Sequence, residues 1–280
     1  MALRKPRLAL LGLMTEGYES VFPGIIERQT RYAHELIQTM SPAADVVFDG
    51  VGLNREAVEA LVKGYNAQEV DGMVVVLLAY SQGAFLTRAL EYNRLPIALA
   101  VVQPDQEVLD SWVELDLTVN QGIHGAQDNA NIIAKSGTPC QFFAGNRHSE
   151  RFLTFIGDFA KACHARTVLK GMRTAAFSRM CGMGDILTDE YAFTRQIGPE
   201  VCHDTIGSIA SRMEKVAQAR IDAQIALDRA QHDVDPNLGY EAHAEAVRMY
   251  FAFKDYLADK GYAAYTAHFD QFADDGRFKQ

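Results

Sequence analysis

The chain has 280 residues, 48% of them hydrophobic and 22% charged, with a formal net charge of −9 at pH 7. This is the balance of a soluble globular protein of one large or two ordinary domains, with enough apolar side chain for a real core. The acidity argues against nucleic acid as a partner: Arg4–Arg7 is the only dense basic run, and elsewhere a polyanion meets repulsion.

The chain opens with MALRKPRLALLGLM, which imitates a secretion signal. Its apolar run is short, and TEGYES follows with no small-residue cleavage site, so it is read as a first strand of a cytoplasmic protein. No apolar run approaches the length of a membrane span, so no membrane partner is expected. The helix GIIERQTRYAHELIQTM, the strand DVVFDGV and the helix NREAVEALVKGY follow, the last with Asn54 as its N-cap. GMVVVLLAY carries the strongest strand signal in the chain, and a helix from about Gln82 to Asn93 leads to PIALAVVQ. A long connection from Pro104 to Gly125 precedes a helix around DNANIIAK, and PCQFFAG with a helix from about Ser149 to Ala165 completes the series.

Five strand–helix units in succession predict a doubly wound parallel five-stranded sheet, flavodoxin- or Rossmann-like, over residues 1–168. Ligands of such sheets bind at the carboxyl ends of the strands. A second, incomplete α/β domain is predicted over residues 169–280, from the strand RTAAFSRM onward. It has a long amphipathic helix from about Asp204 to His232, with Ile206, Ile209, Met213, Val216, Ile221 and Ile225 on one stripe. A helix from Glu241 to Lys260 ends at Gly261 as C-cap, and YAAYTAHF is a further strand. Cys140, Cys163, Cys181 and Cys202 are widely spaced and signal neither a disulfide framework nor a zinc site.

His124 lies between two glycines in TVNQGIHGAQDNANIIAKSG. Two readings stand for it: a turn residue satisfied by local hydrogen bonds, or a ligand contact at the carboxyl edge of the sheet. Asn120 and Gln121 beside it are neutral polar groups suited to hydroxyl recognition. Trp112 either stacks on a ligand or is buried under the same connection. GMGD, Gly182–Asp185, is either a tight turn or a close approach that sets Met183 against a ligand. Tyr250, Phe251, Phe253 and Tyr256 read as core, and His203–Asp204 and His232–Asp233 as solvated or capping groups.

VNQGIHGAQDNANII resembles the NQ-x-x-HG segment of the L-arabinose isomerase and L-fucose isomerase superfamily. GMVVVLLAYSQGAFLTRAL resembles that family's third strand, FSRMCGMGDI its GMGD loop, IGPEVCHDT its G-x-E-V segment, and YAAYTAHFDQF the strand before its metal site. The matches run in order along nearly the whole chain, with NQGIHG and GMGD the most specific.

The resemblance implies an aldose–ketose isomerase acting on a free monosaccharide, with Mn2+ as Lewis acid and two carboxylates moving protons. It implies a homo-oligomer, trimer or hexamer, in which His124 reaches a sugar in a neighbouring subunit's site, with Gln121 and Met183 as further sugar contacts. The family's first-loop G-S-Q-x-L-Y-G pattern is replaced here by GLMTEGYES, which offers Glu16 and Tyr18 instead. The family's metal-binding carboxylates and histidine find no counterpart in residues 1–280. The chain is therefore expected to be an N-terminal and partial central fragment that binds no metal and is inactive alone. Its first domain would serve sugar contact and oligomerisation. The alternatives weighed are a two-lobed sugar-binding protein of the periplasmic or repressor-effector type and a flavin carrier. The first predicts as many strands in the second lobe as in the first. The second needs a Ser/Thr/Gly-rich phosphate loop that LMTEGYES does not supply.

Overall fold

A computed structural model of the protein describes residues 4–178, 189–274 and 276–278. The chain divides into two compact units, Met1–Thr167 and Val168–Gln280.

The first unit alternates strands and helices throughout. In chain order these are β1 (Arg7–Leu13), α1 (Tyr18–Val21), α2 (Ile25–Met40), β2 (Asp45–Val47), β3 (Val51–Gly52), α3 (Arg55–Ala67) and β4 (Gly72–Leu77). They continue with α4 (Ala84–Tyr92), β5 (Ile97–Val101), α5 (Glu114–Val119), α6 (Gly122–Ser136), β6 (Cys140–Ala144) and α7 (Glu150–Gly171). All strand pairings are parallel, in the order β2-β1-β4-β5-β6, with β3 also on β1.

The central strands read as unbroken apolar runs because both faces are covered. Leu8, Leu10, Val74, Val76, Ala98 and Ala100 pack against Tyr32, Leu36 and Met40 of α2 and Phe152, Ile156 and Ala160 of α7. The alternate residues Ala9, Leu11, Leu13, Met73, Val75, Leu77 and Leu99 meet Val58 and Val62 of α3, Leu86 of α4 and Ile133 of α6. This is the doubly wound parallel sheet expected from the sequence.

The predicted strand DVVFDGV is split. Ala9 pairs with Val47 but Gly12 with Val51, so one extra residue stands in the second strand, a bulge with Gly50 at φ +125°. The opened ladder is bridged by the buried hydroxyl of Tyr65, which donates to Leu10 O (3.0 Å) and accepts from Asp49 N (3.2 Å). β2 and β3 are therefore two pieces of one strand position, which gives a sheet of five positions. Asn54 caps α3 as expected, its side chain accepting from Ala57 N at 2.9 Å. The connection predicted from Pro104 to Gly125 differs: it contains α5, and α6 already begins at Gly122.

The second unit holds β7 (Arg173–Phe177), α8 (Glu190–Gln196), β8 (Glu200–Asp204), α9 (Ile206–Met213), α10 (Gln218–Gln231), α11 (Tyr240–Lys260), β9 (Ala264–Ala267) and α12 (Asp270–Asp274). Its parallel sheet has the order β8-β7-β9. The single helix predicted from Asp204 to His232 is two helices. Ile206, Ile209 and Met213 pack with Phe177, Phe253 and Tyr256, whereas Ile221 and Ile225 join a separate cluster with Ala244, Val247 and Phe251. Two different apolar targets require a break, which falls between Met213 and Gln218. Gly261 ends α11 in the left-handed region, at φ +69°, as expected. Phe251, Phe253 and Tyr256 are core, while Tyr250 is exposed. Cys140, Cys163 and Cys202 are free thiols. No described helix is long and apolar enough to cross a membrane.

Candidate functional site at the carboxyl edge of the first sheet

Strand order reverses between β1 and β4, because β1 continues outward to β2 and β4 outward to β5. In sheets of this order the loops leaving the carboxyl ends of the two strands diverge to opposite faces, and the crevice between them is where ligands bind. The segment after β1 carries Thr15 and Glu16 on its loop and Tyr18 at the start of α1, and the loop after β4 carries Tyr80 and Ser81. They are tied by Thr15 N donating to Tyr80 O at 3.0 Å.

Helix α6 reaches the same place through its glycines. A Cβ on Gly122 would sit 2.5 Å from Leu77 O, and one on Gly125 2.9 Å from Ser81 N. Both residues must be glycine for the helix to close on the end of β4. Gly122, Gly125, Ala126 and Asn129 form its buried face, and His124 is exposed in its first turn.

Three of the residues singled out in the sequence come together. Gln121 Nε2 donates to the Tyr18 hydroxyl at 3.1 Å, and Gln121 Oε1 lies 3.4 Å from His124 Nδ1, long for a hydrogen bond. Partial burial raises the Tyr18 phenol above its ordinary pKa. Glu16 stands at the rim, exposed. Its backbone N–H donates to Leu53 O (3.1 Å) and its carboxylate accepts from Asn54 Nδ2 (3.0 Å). Glu19 organises the same loop: its carboxylate accepts from Gly24 N (2.7 Å) and Ile26 N (3.0 Å), which lowers its pKa. Met183 lies outside the described residues, as does the whole of GMGD.

Asn120, grouped with Gln121 in the sequence reading, has a different job. It is buried, accepts from Asp105 N (2.9 Å), and donates to Asp105 Oδ2 (2.8 Å) and Asp116 O (2.9 Å). All of its amide is spent on closing the β5–α5 connection. Trp112 is half-buried in that connection.

Sequence reasoning missed four residues here. The Tyr80 hydroxyl donates to Asp128 Oδ2 at 2.7 Å, and this bond raises the Tyr80 pKa. Gln29 and Asn129 are fully buried amides. Gln29 donates to Leu78 O and to Val119 O (3.2 Å), and Asn129 donates to Ser81 O (3.0 Å) and Gly125 O (2.8 Å). One signal was available: Gln29 and Asn129 are polar residues at apolar positions of their helical stripes, where a buried amide implies a backbone partner.

The electrostatics disfavour an anionic ligand. Glu16 and Asp128 flank the crevice, and neither is ion-paired among the described residues. A phosphorylated sugar would meet repulsion there, whereas hydroxyls find donors and acceptors in Tyr18, Gln121 and His124. Among the described residues no group of three or more His, Cys, Asp or Glu is placed to hold a metal ion.

No family model matches the chain. It is 20% identical over 234 residues to L-arabinose isomerase 1 of Clostridium acetobutylicum, covering 80% of this chain and 48% of that one. It is 22% identical over 277 residues to an L-arabinose isomerase of Oceanobacillus iheyensis, covering 90% and 58% respectively. It is 20% identical over 234 residues to that of Thermotoga neapolitana, covering 82% and 47%. The chain spans about half the length of the curated relatives it matches. These similarities support a sugar isomerase-like family.

Proposed function

We propose that the first unit is the monosaccharide-contacting part of a sugar isomerase-like protein, with Tyr18, Gln121 and His124 contacting sugar hydroxyls and Glu16 at the rim. The observation that carries this reading is the Tyr18–Gln121–His124 chain at the crevice where strand order reverses. The similarity to L-arabinose isomerases supports a free monosaccharide as the ligand class. Glu16 and Asp128, without an ion-pair partner among the described residues, disfavour an anionic one. Met183 is proposed as an apolar contact on the sequence alone, from the flanking glycines of GMGD and the resemblance.

In this reading the chain contributes binding and orientation rather than metal chemistry. Any manganese would, in this reading, be held by groups other than the described residues. His124 would then serve a site completed by a second copy of the protein, in a homo-oligomer. The chain alone is expected not to convert L-arabinose to its ketose, with or without added manganese. Conversion above a metal-free control would refute that part.

Titrating the isotope-labelled chain with L-arabinose and following its amide resonances tests the binding reading. Shifts should centre on Tyr18, Gln121 and His124, and His124→Ala should weaken the response by roughly 0.5–1.5 kcal/mol, the worth of one neutral hydrogen bond. If the sugar moves no resonance in this crevice, the proposed site is wrong. If His124→Ala lowers only the melting temperature, the histidine is merely a helix-start residue.

A further inference from the structure

The polar groups of the crevice have fixed directions, and two of them, Tyr80 and Asp128, were given no role in the sequence reading although both lie inside matched segments. Tyr80 leaves the carboxyl end of β4, and its backbone is held from three sides. Thr15 N donates to its carbonyl at 3.0 Å, Gln29 to Leu78 O before it, and Asn129 to Ser81 O after it at 3.0 Å. A side chain on a backbone so held is pre-organised. Its hydroxyl donates to Asp128 Oδ2 at 2.7 Å, a short, charge-assisted bond. Asp128 follows His124 by four residues on α6, so the two side chains rise from neighbouring positions on one helix face.

The two phenols are thereby polarised in opposite senses. Tyr18 accepts from Gln121, which leaves its own proton to donate. Tyr80 has committed its proton to Asp128, which leaves only lone pairs on its oxygen. A sugar hydroxyl is both donor and acceptor, and neighbouring hydroxyls ask for one partner of each kind. Tyr18 supplies the donor and Tyr80 the acceptor.

We infer that Tyr80 is a further ligand-contacting residue of this crevice, accepting a hydrogen bond from a sugar hydroxyl, and that Asp128 is the positioning residue that holds it as an acceptor. The inference rests on the proposed sugar-binding reading and adds a residue pair that sets which hydroxyl arrangement is accepted. The raised pKa of the Tyr80 phenol agrees with it, since Asp128 keeps the proton in place.

L-arabinose is the probe, and its affinity is read from amide shifts of the full chain. Tyr80→Phe and Asp128→Ala should each weaken binding roughly three- to tenfold, the loss of about one hydrogen bond. Their melting temperatures should stay close to that of the parent, because the pair lies near the surface. Asp128→Asn retains an acceptor oxygen and should recover part of the loss. Asp128→Ala should also lower the pH at which the Tyr80 phenol ionises, followed by phenolate absorbance against Tyr80→Phe as blank. If the parent binds L-arabinose and Tyr80→Phe binds it equally well, the inference is wrong while the sugar-binding reading stands. If the parent does not bind, the reading itself fails and the inference with it. If Asp128→Asn is as defective as Asp128→Ala, the positioning role is refuted.

Discussion

Replacing Tyr65 by Phe removes one oxygen from the fully buried bridge across the β2–β3 bulge. The ring keeps its place against the apolar face formed by Ala9, Leu11 and Val58. Two backbone groups lose their partner. Asp49 is exposed, so its N–H can turn to water, but Leu10 is wholly buried and its carbonyl cannot. The cost is then one hydrogen bond plus one stranded buried acceptor, roughly 1–3 kcal/mol. In a unit of this size that lowers the melting temperature by about 2–4 °C per kcal/mol. Urea unfolding should show a lower midpoint with an unchanged slope, and the Asp49 amide should exchange faster with solvent. Tyr32→Phe is the matched control. Tyr32 is also buried, but its hydroxyl has no hydrogen-bond partner among the described residues, and burial pushes its pKa far up. Removing that oxygen should cost nothing or stabilise slightly. If Tyr65→Phe lies within about 0.5 kcal/mol of the parent, or Tyr32→Phe costs as much, the bridge is not what closes the bulge.

Gly122→Ala drives a Cβ into Leu77 O and should destabilise by roughly 1–3 kcal/mol, whereas Gly64→Ala in α3 meets nothing within 4 Å and should stabilise by about 0.5–1 kcal/mol; thermal melts of both variants check the contrast, and equal effects would refute it. Asp71 concerns pH. Burial pushes its carboxyl up, but the Arg4 guanidinium (2.8 and 2.9 Å), Arg7 N–H (2.9 Å) and Thr167 outweigh it and hold the pKa below the ordinary value. A depressed native pKa gives stability that is present above the unfolded value, near 3.9, and lost as pH falls through the native one. Asp71→Asn should cost roughly 1–3 kcal/mol at neutral pH, with Arg4 half-exposed and discounted accordingly. That difference should shrink in urea titrations below about pH 4, and a gap that persists in acid would show that packing, not charge, is at work.

The fold of the first unit was legible because its strands are covered on both faces and so read as continuous apolar runs. GMVVVLLAY could hardly be anything else. The bulge was not legible. DVVFDGV reads as one strand, and the group that bridges its break, Tyr65, lies in the next helix. β8 escaped as an element because EVCHD is only partly buried and shows no clear alternation. The break between α9 and α10 escaped because apolar residues continue through Val216 at a helix-like spacing, although their partners change from one cluster to another. At the crevice, Gln121 and His124 were found through a motif, and Tyr18 where GLMTEGYES departs from the family's first-loop pattern. Tyr80 and Asp128, 48 residues apart, meet only once the parallel crossover is made.

The NQGIHG segment shows how a motif of this kind encodes direction. Helical residues step around the axis by about 100° each. Taking Gly122 as the origin, Gly125, Ala126 and Asn129 all fall within about 60° of it, and these are the buried positions. His124 and Asp128 fall roughly 200° and 240° around, on the opposite face. The two glycines permit contact with the end of β4, and that contact fixes the helix rotation. The rotation in turn dictates where the imidazole points. A larger residue at Gly122 would push the helix start off the strand end and swing His124 with it, without touching the imidazole. The histidine stands between glycines because its position is set by its neighbours' lack of side chains: they are the mount, and His124 is what they present.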